Sequence, residues 1–148
     1  MFDAAERRYL ETAPLGRLAT ADDRGRPHAV PVCYALVDDG IVSPIDEKPK
    51  AVPPGDLRRV RDVRSNPAVA LVVDHYTTDW SALGWVQVRG TASYREPEAS
   101  GGHDRHATAL ERKYDQYGSH DLADRPLIHI DPGEVRSWGR LERPGRDG

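Results

Sequence analysis

The chain consists largely of short apolar runs separated by turn residues, and this pattern limits its fold more than any other feature. Asp22-Asp23-Arg24-Gly25 and Asp38-Asp39-Gly40 have the composition of tight hairpin turns. Each turn joins two runs that are rich in β-branched and apolar residues. The runs of strand length in the first two thirds of the chain are residues 15–20, 27–37, 41–45, 68–75 and 83–94. We therefore predict that the first three strands form an antiparallel meander.

The later runs differ in how strongly they alternate. Ala68–His75 is almost wholly apolar and is predicted to be the most buried strand. Leu83–Tyr94 alternates well, with Gly90 as a predicted bulge. Near the end, Leu127–Ile130 and Glu134–Trp138 are predicted to be two strands, separated by a turn at residues 131–133.

Three segments have helical periodicity. Asp3 and Glu6 form a capping-box pattern at the start of a short helix that ends before Pro14. Asp56 is predicted to cap a second helix, whose inward side chains are Leu57, Val60 and Val63. Residues 96–118 are predicted to be a third helix, with its apolar face at Ala107, Leu110, Tyr114 and Tyr117.

The elements together predict a mainly β fold. Six to seven antiparallel strands with two to three helices favour a small β-barrel with peripheral helices, because strands and helices do not alternate as in a doubly wound α/β sheet. We assign residues 1–140 to one domain and predict that residues 141–148 form a weakly ordered tail.

Composition excludes several classes of protein. The 148 residues include 21 basic and 24 acidic side chains, and the net charge of -3 argues against a general nucleic-acid binder. No apolar run is long enough to span a membrane, and the first residues lack the apolar core of a signal peptide. Cys33 is the single cysteine, so an intramolecular disulfide is ruled out. We expect a cytoplasmic protein.

Charge is concentrated where the strands lead into the second helix. Residues 46–64 carry six cations and four anions, so this segment has a charge of +2 while the remainder has -5. An apolar sheet beside a cationic segment is suited to a flat ring system with an anionic tail. Pro31 and Pro44 mark a strand edge, a bulge or a strand end. They could open the backbone to a ligand or merely discourage aggregation.

Side chains that could act without a cofactor are sparse. His103 and His106 have helical i, i+3 spacing, but no third ligand has convincing spacing, so we predict no metal site and favour exposed helical histidines. Cys33 has no basic neighbour in the sequence that would lower its pKa, and buried packing is the favoured interpretation.

An ordered set of phrases carries a family resemblance over residues 8–140. The segments LGRLATADDRGRPHAVPV, DEKPK, LRRVRDVRSNPAVALVVDHY, DWSALGWVQVRGTA and VRSW resemble the split β-barrel, FMN-binding-like family typified by pyridoxamine 5'-phosphate oxidase. They are most similar to its actinobacterial branch, which uses the deazaflavin coenzyme F420. The residues that bind pyridoxal phosphate in the oxidases of this family are not recognisable.

The resemblance implies a homodimer with sites at its interface and a ring cofactor against strands two and three. The implied ring-binding residues are His28, Val30, Pro31, Val32, Ser43, Pro44 and Ile45. Basic residues after strand three would hold the phosphate and tail, at Lys48, Lys50, Arg58 and Arg59. Trp138 matches an aromatic position that approaches the ring, commonly from the second subunit; the alternative is a core tryptophan.

The function implied by the resemblance is F420-dependent reduction of a small, electron-poor organic substrate. An FMN-dependent oxidoreductase is the first alternative. A protein that binds or carries F420, FMN or haem without turnover is the second. Either solvent or His28 would supply the proton that completes a reduction. The absence of a self-sufficient catalytic group fits all three hypotheses, because a cofactor carries the redox chemistry itself.

Overall fold

The computed structural model describes residues 1–45, 53–97, 102–119 and 122–142. Three α-helices and seven β-strands lie in these ranges, together with short 3-10 turns. The helices are α1 (Ala4–Thr12), α2 (Arg58–Ser65) and α3 (His103–Lys113). The strands are β1 (Gly16–Ala21), β2 (Pro27–Val32), β3 (Ala35–Val37), β4 (Gly40–Pro44), β5 (Ala68–His75), β6 (Gly84–Arg95) and β7 (Leu127–Gly139).

The strands form one antiparallel sheet in the order β2-β1-β5-β6-β7-β4-β3. Val32 of β2 and Ile41 of β4 belong to the same buried cluster although their strands lie near opposite ends of the sheet. The sheet therefore curls around a single core, and the predicted mainly β fold with peripheral helices is confirmed.

The predicted strand at residues 27–37 is divided, which corrects the meander. β2 pairs with β1, whereas β3 pairs with β4 at the other end of the sheet. The break falls at Cys33 and Tyr34, where the Tyr34 backbone leaves the ladder because its N–H donates to Tyr114 Oη (3.1 Å). The Tyr34 side chain is fully buried and donates to Leu10 O (2.6 Å). These long-range bonds fix the point at which the chain crosses between the sheet's two edges.

The predicted bulge at Gly90 is confirmed, but the predicted turn at residues 131–133 is wrong. The register between β6 and β7 shifts between Arg89 and Gly90. β7 continues through this region, with Pro132 opposite Gly90. A side chain at Gly90 would strike the Asp131 carbonyl, so the glycine permits the close approach that keeps β7 continuous.

β5 is not the most buried strand. Its residues alternate between buried and partly exposed, because one face packs in the barrel and the other does not. β4 is more deeply enclosed, with four of its five residues buried. Ile41 packs in the barrel core while Val42 packs beneath α3 with Ala107 and Leu110. β4 is therefore more buried than β5 because α3 covers its outer face.

The first helix begins as predicted. Asp3 Oδ1 accepts from the Glu6 backbone N–H (2.7 Å), and the Glu6 side chain accepts from the Asp3 N–H (3.0 Å). Tyr9 and Leu10 are buried, and Tyr9 Oη shares a hydrogen bond with His75 Nδ1 (2.8 Å). The hydroxyl thus joins α1 to the end of β5.

The second helix starts one residue later than predicted. Asp56 lies in a 3-10 turn, and Leu57 occupies the N-cap position without a side-chain cap. The predicted cap at Asp56 is therefore wrong, because Leu57 O is the carbonyl that accepts the hydrogen bond from the Arg61 N–H (3.0 Å) at the start of the helix. Val60 and Val63 are buried as predicted.

The third helix is shorter than the predicted span of residues 96–118. α3 ends at Lys113 and a 3-10 turn follows at Asp115–Ser119. Ala107, Leu110 and Tyr117 are buried, as their spacing predicts. Within the described ranges, no helix has both the length and the apolar character needed to cross a membrane.

Candidate cofactor site

β2 lies at one end of the sheet and pairs, among the described strands, with β1 alone. Its other edge presents backbone groups that the ladder does not use. Ala29 and Pro31 are exposed on one face, while His28 and Val30 are half-buried on the other. Val32, at the end of the strand, is buried. β2 is therefore open to a ligand along its edge.

The three residues predicted on strand three lie in a different environment. Ser43, Pro44 and Ile45 are all buried. Ser43 Oγ donates to Cys33 O (2.7 Å), and the Ile45 N–H donates to Pro126 O (3.2 Å). These residues are part of the interior of the chain, so their side chains support the fold beneath any ligand.

Arg58, at the start of α2, is held in place beside the start of β2. Its Nε donates to both carboxylate oxygens of Asp62 (2.9 and 3.1 Å), and its Nη2 donates to Arg26 O (3.2 Å). Asp62 is buried and also accepts from Thr20 Oγ1 (2.7 Å). Arg26 immediately precedes β2, so these bonds tie α2 to β1 and to the open strand.

The Arg58 guanidinium is not fully used by this network. Its side chain is 37% exposed, and its Nη1 makes no hydrogen bond to a residue that the structure describes. A guanidinium whose orientation is already fixed loses less conformational entropy when it binds an anion. Arg58 is therefore a preorganised donor.

A cavity of about 340 Å³ opens at this position. It is lined by Asp22, Asp23, Arg26, Arg58, Arg61, Asp62 and Ser65. Three arginines face three aspartates, so the cavity offers fixed donors without a strong positive potential. The pKa of Asp22 lies below its ordinary value, chiefly because the Arg26 backbone N–H donates to it. This carboxylate is therefore charged at neutral pH.

The other predicted tail-binding residues are placed differently. Arg59 follows Arg58 in α2 but is buried, with 9% of its surface exposed. Its guanidinium points away from open solvent, in contrast to that of Arg58. Lys48 and Lys50 lie outside the described residues. Their assignment remains a prediction.

Trp138 lies near the end of β7, opposite Trp85 of β6, and is 54% exposed. This exposure excludes the alternative of a core tryptophan. Three strands separate β7 from β2 in the sheet. Tyr76 and Trp80 are also exposed, at 74% and 72%. Trp138 is thus free to contact a ligand or another chain, and its predicted role at the ring remains untested.

Comparison with protein-family models identifies the family. The model described as pyridoxamine 5'-phosphate oxidase matches residues 2–139. The chain belongs to the pyridoxamine 5'-phosphate oxidase family. Membership accounts for the antiparallel barrel with its peripheral helices, and the family is of oxidoreductase type.

The chain is similar to a 5a,11a-dehydrotetracycline/5a,11a-dehydrooxytetracycline reductase from Streptomyces rimosus subsp. rimosus. It is 28% identical to this chain over 139 residues, which cover 93% of this chain and 83% of the relative. The similarity therefore extends over nearly the whole barrel rather than a single motif.

Solved structures show that the fold is shared more widely. An F420 reductase matches with a TM-score of 0.63 at 21% identity, covering 92% of this chain and 98% of that protein. HutZ, a haem storage protein from Vibrio cholerae, matches with a TM-score of 0.69 at 18% identity, covering 89% of each chain. At these identities the likeness establishes the fold alone.

Two features of the candidate site fit a ring cofactor that carries an anionic group. No described strand pairs with the outer edge of β2, whose prolines leave carbonyl acceptors and few N–H donors there, and the Arg58 guanidinium stands fixed near its start. His28 lies in the same strand, opposite Thr20, and is half-buried. The structure thus brings His28, Val30, Pro31 and Arg58 to one region, and leaves Ser43, Pro44 and Ile45 inside the fold.

Two residues of the site were not predicted from the sequence. Arg61 was not among the predicted tail-binding residues; it is exposed and lines the cavity with Arg58. Arg26 supplies both a guanidinium and the carbonyl that positions Arg58. The i, i+3 spacing of Arg58 and Arg61 was a usable signal for the first. Arg26 gave none, because its proximity to α2 arises from folding.

Proposed function

We propose that this chain is an F420-dependent reductase that acts on small, electron-poor organic molecules. The observation that carries the proposal is the open β2 edge with the fixed Arg58 guanidinium at its start. The reductase relative, similar over 93% of the chain, and the fold shared with an F420 reductase support this choice of chemistry.

Each part of the site then has a distinct task. When bound, reduced F420 supplies a hydride for an electron-poor double bond of the substrate. The β2 backbone orients the ring through its free N–H and C=O groups, and Arg58 donates charge-assisted hydrogen bonds to the phosphate. Lys48 and Lys50 add charge for the polyglutamyl tail. His28, at the same strand, is positioned to hold or deliver a proton.

We further propose that the working form is a cytosolic homodimer. Tyr76, Trp80 and Trp138 are large side chains that one chain leaves largely exposed, which is typical of surfaces that meet a partner. In a dimer, Trp138 of the second subunit would cover the ring and exclude water. Sedimentation of the purified chain at micromolar concentration tests this, and a monomer would contradict it.

The decisive binding test compares two arginines of the same helix. Arg58→Ala removes the fixed donor, whereas Arg64→Ala removes an equal charge from a guanidinium that stacks 4.5 Å from the centroid of the Tyr94 ring. A hydrogen bond to a charged group is worth about 1.5–3 kcal/mol, so Arg58→Ala should weaken F420 binding by at least about tenfold. Arg64→Ala should change it by less than about threefold. Equal affinities for the two variants would refute the assignment.

The cofactor alternatives separate in the same titration. FMN or haem that remains with the purified protein would be visible in its absorbance spectrum, and tighter binding of FMN than of F420 would favour the FMN-dependent oxidoreductase. Oxidation of reduced F420 upon addition of enone or quinone substrates distinguishes a reductase from a carrier. The carrier is the second candidate, because a haem storage protein shares the fold.

A further inference from the structure

Two buried histidines meet on the side of the barrel that α3 covers. His106 lies in α3 and His129 in β7, and their ring centroids are 5.5 Å apart with an angle of 41° between the ring planes. Only 7% and 9% of their surfaces are exposed, and His103 is buried as well, so the prediction of exposed helical histidines is wrong because α3 packs them against the barrel. His129 pairs with Val42 of β4, whereas the candidate cofactor site adjoins β2 at the other end of the sheet. The two histidines therefore form a separate cluster, which we call the histidine pair.

One ring nitrogen of each member of the histidine pair, Nδ1, is buried and unsatisfied. Nδ1 of each ring is buried and has no hydrogen-bond partner among the described residues. The nearest carboxylate oxygen to His129 Nδ1, Asp131 Oδ1, is 3.6 Å away, too far for a hydrogen bond. An unpaired buried polar group costs about 1–3 kcal/mol and calls for an explanation such as a bound ion or water.

His75 shows that this fold can satisfy a histidine when the residue serves only as structure. Its Nδ1 shares a hydrogen bond with Tyr9 Oη (2.8 Å), and its Nε2 contacts Ala82 O (2.5 Å). Both of its ring nitrogens have protein partners, and His103 has one, because its Nε2 contacts Arg125 O (2.7 Å) while its Nδ1 is unpaired. Neither ring of the histidine pair makes a hydrogen bond within the described part of the chain. The difference points to a ligand rather than to ordinary packing.

Space for a ligand adjoins the pair. A cavity of about 500 Å³ is lined by Met1, Val37, Asp38, Asp39, Gly40, His106, His129, Asp131 and Pro132. A Cβ atom at Gly40 would lie 2.8 Å from His129 Nε2, so the glycine keeps that nitrogen uncovered. Three aspartates lie on the rim, but Arg105 pairs with Asp38 (2.9 Å), Arg7 lies 4.0 Å from Asp39, and the charge of Arg95 acts on both histidines.

We propose that His106 and His129 bind one divalent transition-metal ion, such as Zn²⁺ or Co²⁺, through one ring nitrogen each. Imidazole is a preferred ligand for these ions. Two imidazoles on one tetrahedral ion, with metal–nitrogen bonds of about 2.0–2.1 Å, place their ring centroids about 5 to 6 Å apart, which matches the pair.

The remaining coordination positions face the cavity. Among the described residues, no group of three His, Cys, Asp or Glu side chains is arranged to hold a metal ion, so water or a small anion completes the site. His129 would bind the ion through Nε2, the nitrogen that Gly40 leaves uncovered, while Asp131 Oδ1 lies 3.6 Å from its Nδ1 on the other side of the ring.

The test uses the untagged full-length chain after treatment with a chelator. Calorimetric titration with Zn²⁺ should show one ion per chain, and Co²⁺ should give the visible absorption of a low-symmetry complex. His106→Gln and His129→Gln should each weaken binding by at least about tenfold. His28→Gln, which removes a half-buried histidine at the other end of the sheet, should bind as the wild type does.

A second measurement needs no variant. The chain has six histidines, and NMR correlation of their ring nitrogens should show Zn²⁺ shifting the signals of His106 and His129 and leaving those of His75 in place. Zn²⁺ that shifts other histidines instead, or binds His106→Gln as tightly as wild type, overturns the proposal. The result is independent of F420 binding, which involves the other end of the sheet.

Discussion

β2 and β4 have similar sequences but opposite environments. PHAVPV and GIVSP are both short, apolar and interrupted by proline, and both were predicted to face one ring. In the structure one of six β2 residues is buried, against four of five in β4. β4 lies between β7 and β3 with α3 outside it, whereas β2 pairs with β1 alone among the described strands. What covers a strand, rather than its composition, therefore decides how deeply the strand is buried.

The largest expected effect contrasts one apolar residue from each strand. Ile41 is fully buried in β4, so Ile41→Ala should lower the free energy of unfolding by about 3 kcal/mol through lost burial and a cavity. Val30 of β2 is half-buried, and Val30→Ala should lower it by about 1 kcal/mol. Denaturant unfolding measures both changes in free energy. Equal losses for the two variants would contradict the difference in burial between β2 and β4.

A smaller effect is expected where α2 is tied to the open strand. Asp62→Ala leaves the Thr20 hydroxyl and the Arg58 guanidinium without their acceptor, so we expect a loss of about 2 kcal/mol in unfolding free energy and weaker F420 binding. The matched control is Asp56→Ala, because Asp56 is exposed and caps no helix. If Asp56→Ala lowers the unfolding free energy and F420 binding as much as Asp62→Ala does, the buried hydrogen-bond network is not the cause of the loss.

The smallest effect on stability is expected at the exposed end of β7. Trp138→Ala should change the unfolding free energy of the monomer by less than about 0.5 kcal/mol, since the side chain is 54% exposed. The same change should weaken dimerisation or F420 binding if Trp138 covers the ring from a second subunit. Thermal melting at low and high protein concentration separates these two effects, and a large loss at low concentration would contradict the exposed placement.

Local signals in the sequence were sufficient for several elements. The capping box at Asp3 and Glu6, the run at Ala68–His75 and the bulge at Gly90 all depend on neighbours within a few residues. Because local chemistry decides them, the sequence pattern predicts them. The mainly β fold follows from the same runs and turns.

Features set by distant contacts were missed. The break after Val32 depends on hydrogen bonds from Tyr34 to Leu10 and Tyr114, which are far away in the chain. The burial of β4 depends on packing against α3. The histidine pair joins His106 of α3 to His129 of β7, and residues in two different elements have no fixed spacing in the sequence. His103 was predicted as the neighbour of His106 because the two residues are three positions apart in one helix.

The candidate site was predictable in part for the same reason. Arg58 and the β2 residues were predicted from the family resemblance and local charge, and Arg58 lies beside Arg26, which immediately precedes β2. Arg26 and Arg61 complete the cavity through the packing of α2 against the turn before β2. The sequence pattern alone does not contain that contact.

A cofactor bound along the open edge of β2 would protect the backbone amides of that strand, and hydrogen exchange measures this protection. Amides of β4 should exchange slowly with or without F420, because that strand is enclosed. Amides of β2 that face its free edge should exchange quickly in the free protein and slow by at least about tenfold when F420 is bound. Protection that appears around α3 and leaves β2 unchanged would contradict the account.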